Sequence, residues 1–286
     1  MEHIRQAIEL AKGAQAPHRG GEAAQQLQPP PVNTVDPAAA QPRANQVELS
    51  NRHLESKRVV AHDIVDGRSK SFDMLRTQIL QAMDAKSWQL LAVTSPTAGC
   101  GKTMVATNLA ISIARQPHRS VLLVDMDLQK PQVANTLGLK SEIGLVSVLE
   151  GHTRLQDSLV QAHVANEKFL VLPCPHSTLK SSAWMASQSM ASVLQEIRRD
   201  FRSWTVILDL PPMLTSDDVI SILPQIDCVL FVVAAGMTTV HEIKECNKHL
   251  QSASVARVVL NKATDQTTTY YTRYADDSLA RMARAR

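Results

Sequence analysis

The chain has 286 residues, of which 44% are hydrophobic and 20% charged, and its formal net charge is +3. This composition is enough for one sizeable α/β domain, and the small, dispersed charge provides no basic arm for nucleic acid. The four cysteines lack metal-ligand spacing, and the longest apolar run, residues 228–235, is too short to span a bilayer. With no apolar signal-peptide core at the start, we expect a protein of the reducing cytosol that does not anchor itself in a membrane.

The N-terminal region is predicted to lack a core of its own. Residues 14–46 are dominated by Ala, Gln and Pro, and such a segment buries too little apolar surface to offset its ordering entropy. Residues 1–12 are either a short helix or a frayed terminus. We therefore predict a disordered region or linker over residues 1–58, with order beginning near Val59.

From Ser69 onward the apolar pattern alternates between helical and strand periods. Phe72, Leu75, Ile79 and Met83 recur at helical spacing and lead into a first predicted strand at residues 88–93. Further strands are predicted at 121–124, 169–172, 205–210, 229–233 and 255–260, and further helices at 104–115, 182–201, 216–223 and 239–252. Nearly continuous apolar runs separated by helices indicate a doubly wound, mostly parallel sheet that is covered on both faces.

The first strand is followed by the sequence Thr-Ser-Pro-Thr-Ala-Gly-Cys-Gly-Lys-Thr, residues 94–103, which predicts a phosphate-binding loop (P-loop). Glycines at 99 and 101 let successive N–H groups turn toward one anion, and the following helix directs its positive end at the same point. Lys102 is predicted to reach the β- and γ-phosphates of ATP, and the Thr103 hydroxyl to bind Mg²⁺. The alternative is a glycine-rich turn before an ordinary helix. The predicted nucleotide contacts are Thr97, Ala98, Gly99, Cys100, Gly101, Lys102, Thr103 and Met104.

Acidic residues follow two of the other predicted strands. Asp125 and Asp127 come after the run at 121–124, and Asp209 lies near the end of the run at 205–210, which two prolines follow. Ligands of such sheets bind at the carboxyl ends of the strands, so these side chains are predicted to share the nucleotide pocket. Thr103, Asp125 and Asp209 are the predicted Mg²⁺ ligands. The alternative is a pair of loops with solvated acids.

All three tyrosines of the chain, Tyr270, Tyr271 and Tyr274, fall within five positions near the C-terminal end. Threonine, arginine and aspartate surround them, which is typical of an accessible segment rather than a core. We predict a tail over residues 263–286 in which the tyrosines are phosphate acceptors. A stacking or interface patch is the alternative.

The P-loop, the Asp125-x-Asp127 strand end and the Leu208-Asp209-Leu-Pro-Pro strand end together resemble the three Walker-type motifs of bacterial tyrosine autokinases (BY-kinases). The resemblance implies an ATP- and Mg²⁺-dependent protein-tyrosine kinase of capsule or exopolysaccharide synthesis, with a catalytic P-loop domain at residues 59–262. It implies catalytic roles for Lys102, Asp125 and Asp127, with Asp125 as the base or orienting group for the acceptor phenol. It also places Asn261 near the nucleotide base.

The same resemblance implies partners and a location. BY-kinases assemble into rings in which each tail enters the neighbouring site, so self-association and phosphorylation in trans are expected. A membrane chain-length regulator, or polysaccharide co-polymerase, is the expected activator, which would recruit a cytoplasmic chain peripherally to the inner membrane. Other tyrosine-containing substrates are also expected.

Several positions depart from the pattern of the family. The helix that helps to close the ring in BY-kinases carries Glu-x-x-Arg-x-x-Arg, whereas this chain has Lys70, Asp73 and Arg76 at those places. Gln129 stands where the second Walker-type motif usually has arginine.

Two other functions are compatible with a P-loop of this kind. A partition or cell-division switch ATPase of the ParA/MinD type shares the fold, but its signature lysine would stand at the position of Thr97. A nucleotide-binding regulatory subunit without kinase turnover is the second alternative. The fold alone does not decide between these functions.

Overall fold

The computed structural model of the protein describes residues 44–263. The predicted helix at 1–12, most of the Ala/Gln/Pro-rich region and the three tyrosines lie outside these residues. Within them the strands are β1 (Asn45–Glu48), β2 (Leu90–Thr94), β3 (Val121–Asp125), β4 (Val160–Val164), β5 (Glu167–Leu172), β6 (Thr205–Asp209), β7 (Cys228–Ala234) and β8 (Val255–Asn261).

Nine α-helices connect the strands in the described part of the chain. They are α1 (Asn51–Ser56), α2 (Ser69–Lys86), α3 (Lys102–Ala114), α4 (Val133–Leu137), α5 (Leu145–Leu149), α6 (Ser181–Met185), α7 (Gln188–Asp200), α8 (Asp218–Ile222) and α9 (Val240–Leu250). Two short 3₁₀ helices lie at Gln156–Ser158 and Leu223–Gln225. None of the helices between residues 44 and 263 is long and apolar enough to cross a membrane.

The eight strands form one sheet in the order β1-β4-β5-β3-β6-β2-β7-β8. Every neighbouring pair is parallel except β4 and β5, which form an antiparallel hairpin. The predicted doubly wound, mostly parallel P-loop fold is confirmed. Its central strands β3, β6 and β2 are adjacent, so their carboxyl ends meet at one edge of the sheet.

Apolar layers cover both faces of the sheet. Helices α2 and α3 pack on one face, and α7 and α9 pack on the other. Helix α3 is buried almost all round, including Leu109, Ile111 and Ile113, because it lies between the sheet and α2. Burial of each such side chain contributes about 2 kcal/mol, so the helix that follows the P-loop is fixed firmly in place.

Order begins earlier than the sequence predicted, because β1 and α1 precede the expected start at Val59. Strand β1 pairs in parallel with β4, and Leu54 of α1 is completely buried. Strand β1 has the sequence Asn-Gln-Val-Glu and lies at the edge of the sheet with most of its side chains exposed. A polar edge strand has no apolar run, and the pattern of hydrophobic residues therefore missed it.

The segment that leads from α1 to α2 is fastened by one side chain of α3. The Asn108 carbonyl oxygen accepts hydrogen bonds from the N–H groups of Val60 (2.8 Å) and Ala61 (3.0 Å), and its amide nitrogen donates to the carbonyl oxygens of Arg58 (3.1 Å) and Met104 (2.9 Å). Asn108 is fully buried, so each of these bonds satisfies a group that water cannot reach. The start of the domain is thereby tied to the helix of the P-loop.

Strand β4 and the region 182–201 also differ from what the sequence predicted. Strand β4 was not predicted, because its alternating sequence Val-Gln-Ala-His-Val is short and buries only every second side chain. The helix predicted at 182–201 is two helices, α6 and α7, which are separated at Ala186 and Ser187. The Ser187 hydroxyl caps α7 by accepting a hydrogen bond from the Met190 N–H (3.1 Å), which favours a new helix start at this point.

Asp227, directly before β7, joins three elements with one carboxylate. Its Oδ2 accepts hydrogen bonds from the N–H groups of Gln89 and Leu90, both at 2.7 Å, and its Oδ1 lies 2.7 Å from Nη2 of Arg198. Burial alone raises the pKa of Asp227, but Arg198 and the two N–H groups outweigh it and hold the pKa below its usual value. The ionised form therefore stabilises the fold.

We expect Asp227→Ala to lower the free energy of unfolding by about 2 kcal/mol at pH 7, because two strand N–H groups and a guanidinium lose their partner. A lowered pKa in the folded state gives stability that is present above the unfolded pKa of about 3.9 and is lost as the pH falls through the folded value. The difference from wild type should therefore shrink in acid. Urea unfolding at pH 7 and pH 3.5 measures both effects.

Asp157→Ala is the matched control, because Asp157 forms an exposed pair with Arg154. A loss of less than about 0.5 kcal/mol is expected for it. Equal losses in the two variants would contradict the structural role given to Asp227.

Candidate functional site

The loop between β2 and α3 has the backbone that the sequence predicts for a phosphate cradle. Gly99 and Gly101 have φ angles of +82° and +95°, in the left-handed region that favours glycine. A Cβ atom at Gly101 would lie 2.2 Å from Nδ2 of Asn261, so this position also has no room for a side chain. The Asn261 amide in turn donates a hydrogen bond to the Cys100 carbonyl oxygen (2.8 Å). The end of β8 therefore buttresses the loop.

The loop after β6 lies against the P-loop. Met213 donates its N–H to the Ser95 carbonyl oxygen (2.8 Å), and the Thr94 hydroxyl donates to the Pro211 carbonyl oxygen (2.7 Å). The two acidic strand ends are also in register, because Asp125 and Asp209 are direct partners on β3 and β6. The structure thus brings together the three motifs that the sequence singled out.

Lys102 and Thr103 each contact one of these acids. The Lys102 Nζ lies 2.7 Å from Oδ2 of Asp127, and the Thr103 hydroxyl donates to Oδ2 of Asp209 (2.6 Å). Asp125 lies deeper, where it accepts hydrogen bonds from the N–H groups of Val133 (2.9 Å) and Asp127 (3.3 Å). One ammonium group therefore faces three buried carboxylates.

Burial, together with these neighbouring charges, shifts the pKa of several groups. Burial raises the pKa of Asp209 to about 6, although Lys102 and the Thr103 hydroxyl act in the opposite direction. Burial and the neighbouring Asp209 raise the pKa of Asp125 well above its usual value. Burial by itself lowers the pKa of Lys102, but the three carboxylates outweigh that effect and raise it. The site therefore favours an additional cation.

The residues present fit a Mg²⁺ ion that is bound together with a phosphate. Oδ1 of Asp209 is buried and has no hydrogen-bond partner, and it lies on the carboxyl group that binds Thr103. Mg²⁺ is usually held by one or two protein oxygens, water and substrate phosphate rather than by a protein cage. Residues 44–263 contain no group of three or more His, Cys, Asp or Glu side chains arranged to hold a metal.

A cavity of about 440 Å³ opens on this constellation, within the size range of small-molecule sites. Asp127 lines it, whereas Asp125 is fully buried and is not among the lining residues. Cys100 is fully buried beside Thr97 and Thr238. The cavity is lined by Ala98, Gly99, Gly101, Lys102, Thr103, Met104, Asp127, Gln129, Lys130, Gln132, Thr136, Pro211, Pro212 and Thr215.

The far wall of the cavity was not predicted from the sequence. Lys130, Gln132 and Thr136 come from the loop after β3 and from α4, and Thr215 comes from the loop after β6. Their only signal was their position soon after the acidic strand ends. The Gln129 amide donates to the Ser181 hydroxyl (2.9 Å) and to Asp218 (3.2 Å), so a neutral side chain joins this wall to the buried ends of α6 and α8.

Comparisons with known proteins agree with this geometry. The sequence profile of the CobQ/CobB/MinD/ParA nucleotide binding domain matches residues 91–280. The tyrosine-protein kinase YwqD of Bacillus subtilis is 31% identical over 176 residues, which cover 59% of this chain and 70% of that protein. A putative tyrosine-protein kinase, EpsB of Ralstonia nicotianae, is 30% identical over 232 residues, which cover 79% of this chain and 30% of EpsB.

A solved structure also matches. The kinase domain of the Escherichia coli tyrosine kinase ETK superposes with a TM-score of 0.64 at 25% identity, over 72% of this chain and 82% of that domain. The match to EpsB, in contrast, spans less than a third of that longer protein.

We expect Gly101→Ala to lower the affinity for a fluorescent ADP analogue more than about tenfold. The added methyl group must displace Asn261 and move the loop N–H groups away from the phosphates. Gly151→Ala is the matched control, because Gly151 also has a positive φ, +75°, but has open space around its Cβ position. Both substitutions carry the cost of a left-handed alanine, about 1 kcal/mol, and only Gly101→Ala adds the clash with Asn261. Equal nucleotide affinities in the two variants would contradict the contact between β8 and the loop.

Proposed function

The chain belongs to the CobQ/CobB/MinD/ParA nucleotide-binding family and, within it, to the bacterial tyrosine kinases, and from that premise we propose that it is an ATP-dependent tyrosine autokinase. Its acceptors are Tyr270, Tyr271 and Tyr274, and its nucleotide site is the cavity at the P-loop. The observation that carries the proposal is the joint placement of Lys102, Asp127 and the Thr103–Asp209 pair at one cavity beside the phosphate-binding loop.

The chemistry asks for positioning and charge rather than for covalent catalysis. The N–H groups of the loop and the Lys102 ammonium hold the β- and γ-phosphates of ATP. When bound at Thr103 and Asp209, with Asp125 behind them, Mg²⁺ supplies further neutralisation of phosphate charge. Lys102 then exchanges its contact with Asp127 for a phosphate oxygen, which frees the Asp127 carboxylate.

The transfer forms one bond and breaks one. The phenolic oxygen of tyrosine attacks the γ-phosphorus, the bond to the bridging oxygen breaks, and ADP leaves. The phenolic proton, from a group with a pKa near 10, passes to the carboxylate pair of Asp127 and Asp125. Asp127 meets the acceptor at the cavity wall, and Asp125 orients it from behind through the Asp127 N–H.

The cellular setting follows from the resemblance to BY-kinases. We propose a role in capsule or exopolysaccharide synthesis, with recruitment of a cytoplasmic chain to the inner membrane by a chain-length regulator.

Self-association is expected too, but α2 lacks the Glu-x-x-Arg-x-x-Arg pattern of the family, and its polar residues make contacts within the chain. Asp73 accepts hydrogen bonds from Arg76 (2.9 Å), Arg115 (3.2 Å) and the Ser112 hydroxyl (2.7 Å), all within one chain. These side chains join α2 to α3.

Purified protein with labelled ATP and Mg²⁺ tests the proposal, together with Lys102→Met and a triple Tyr→Phe variant at 270, 271 and 274. Label on the wild-type chain should fall at least about a hundredfold in both variants, because one lacks the phosphate ligand and the other the acceptors. A melting curve for each variant verifies that it is folded. Steady phosphate release without label on the protein would favour a ParA/MinD-type switch ATPase, and the absence of both signals an inert nucleotide binder.

Mixing the two variants distinguishes transfer within a chain from transfer between chains. The distance from Lys262 to Tyr270 is at most about 28 Å in an extended chain, so reach alone does not separate the two routes. When the two variants are mixed, the triple Tyr→Phe chain supplies an intact active site and the Lys102→Met chain supplies the acceptor tyrosines. We expect label on the Lys102→Met chain. Label in wild type without label in the mixture would mean that each chain modifies its own tail.

A further inference from the structure

The part of the cavity lining that comes from the loop after β3 carries one exposed cation, Lys130. The N–H of Lys130 donates a hydrogen bond to Oδ1 of Asp127 (3.0 Å), and Pro131 follows with its restricted backbone. Lys130 is thus held directly beside the carboxylate that binds Lys102. Its side chain lines the cavity and is exposed to solvent.

The two cations of this cavity differ in what they contact. Among the described residues that line it, only Lys102 and Lys130 are positively charged. Lys102 is buried and lies 2.7 Å from Asp127, whereas Lys130 takes part in none of the ion pairs formed within residues 44–263. Lys130 is therefore available to an anionic group that approaches the mouth of the cavity.

An acceptor segment from this chain brings such anionic groups with it. Asp265, Asp276 and Asp277 flank the tyrosines. Near a triphosphate and three buried carboxylates these residues meet repulsion, which a cation at the rim of the cavity offsets. Charges at the rim of a binding site act mainly on selectivity and on the rate of association.

The spacing of the tail makes the three tyrosines unequal toward such a cation. In an extended chain, residues i and i+2 point to the same side and lie about 7 Å apart. The residue at i+2 is Asp276 for Tyr274, Arg273 for Tyr271, and Thr272 for Tyr270. The residue that faces the rim of the cavity is therefore acidic when Tyr274 enters, basic when Tyr271 enters and neutral when Tyr270 enters.

We propose that Lys130 determines which tyrosine is modified first, by recognising an acidic residue two positions after the acceptor. The proposal rests on the autokinase function proposed above and adds an acceptor preference to it. Tyr274 is favoured because Asp276 pairs with Lys130, and Tyr271 is disfavoured because Arg273 is repelled. Proteins that carry Tyr-x-Asp or Tyr-x-Glu in an exposed segment are the matching class of external substrate.

The test compares chains that keep a single acceptor. One chain carries Tyr270→Phe and Tyr271→Phe and retains Tyr274, and the other carries Tyr270→Phe and Tyr274→Phe and retains Tyr271. Initial rates of labelling are measured for each with the wild-type site and with Lys130→Glu. The ratio of the two rates cancels any effect of Lys130 on ATP binding. We expect Lys130→Glu to lower the Tyr274 to Tyr271 ratio at least about fivefold.

Two further arms complete the experiment. Lys244→Glu is the control for net charge, because Lys244 is exposed on α9 and lies outside the cavity lining, and the ratio should stay unchanged. In the chain that retains Tyr274, Asp276→Lys should slow labelling when position 130 is lysine. Labelling should recover when Asp276→Lys is combined with Lys130→Glu, because the two charges are then exchanged.

The outcomes distinguish the selection by Lys130 from the kinase activity itself. A ratio that Lys130→Glu leaves unchanged, with label present, overturns the selection by Lys130 and leaves the kinase intact. A wild-type chain that gains no label on any tyrosine overturns the kinase, and the selection with it. A changed ratio that Asp276→Lys does not reverse overturns the pairing with Asp276.

Discussion

The structure depends on one ammonium group among three carboxylates. Lys102 faces Asp125, Asp127 and Asp209 at the ends of adjacent strands, with Asp127 in direct contact and Asp209 hydrogen-bonded to Thr103. Such a cluster is unfavourable in a closed core, because buried like charges repel and desolvation penalises each one. It is favourable in a site where a metal ion and a charged substrate can replace the lysine in its contacts with the carboxylates. The fold supplies rigid support for this arrangement through the buried helix α3 and the central strands.

Topology explains why these groups meet. Strands β3, β6 and β2 are neighbours in the sheet although other elements separate them in the chain, and parallel connections bring all three carboxyl ends to one edge. The edge strand β8 adds Asn261 behind the loop. The lining of the cavity consequently comes from several loops, the P-loop after β2 and the loops after β3 and β6. Residues of the loop after β3, such as Gln129 and Lys130, can therefore differ between related chains without a change in the P-loop itself.

The sequence was sufficient for the parts of the molecule that strong local patterns determine. Fully buried strands give continuous apolar runs, and the P-loop has glycines whose backbone angles few other residues adopt, so the central strands and the loop were predicted correctly, whereas β4 was missed. Strand β1 was missed because its stability comes from pairing with β4 rather than from its own side chains. The buried position of Asp125 and the wall formed by Lys130 and Thr136 were also beyond prediction, because they depend on how distant loops pack.

The two outermost strands of the sheet have a consequence for how the chain is connected to its surroundings. Strand β1 lies at one margin and β8 at the other, seven strand spacings apart, which is about 34 Å across a flat sheet. Residue 44 precedes β1 and residue 263 follows β8 closely, so the preceding and following segments attach at opposite margins. A partner bound to the segment before residue 44 is therefore attached to the sheet far from residue 263, where the tyrosine-bearing segment begins. In the function proposed above, recruitment through the leading segment and phosphoryl acceptance by the tyrosines would therefore use opposite margins of one sheet.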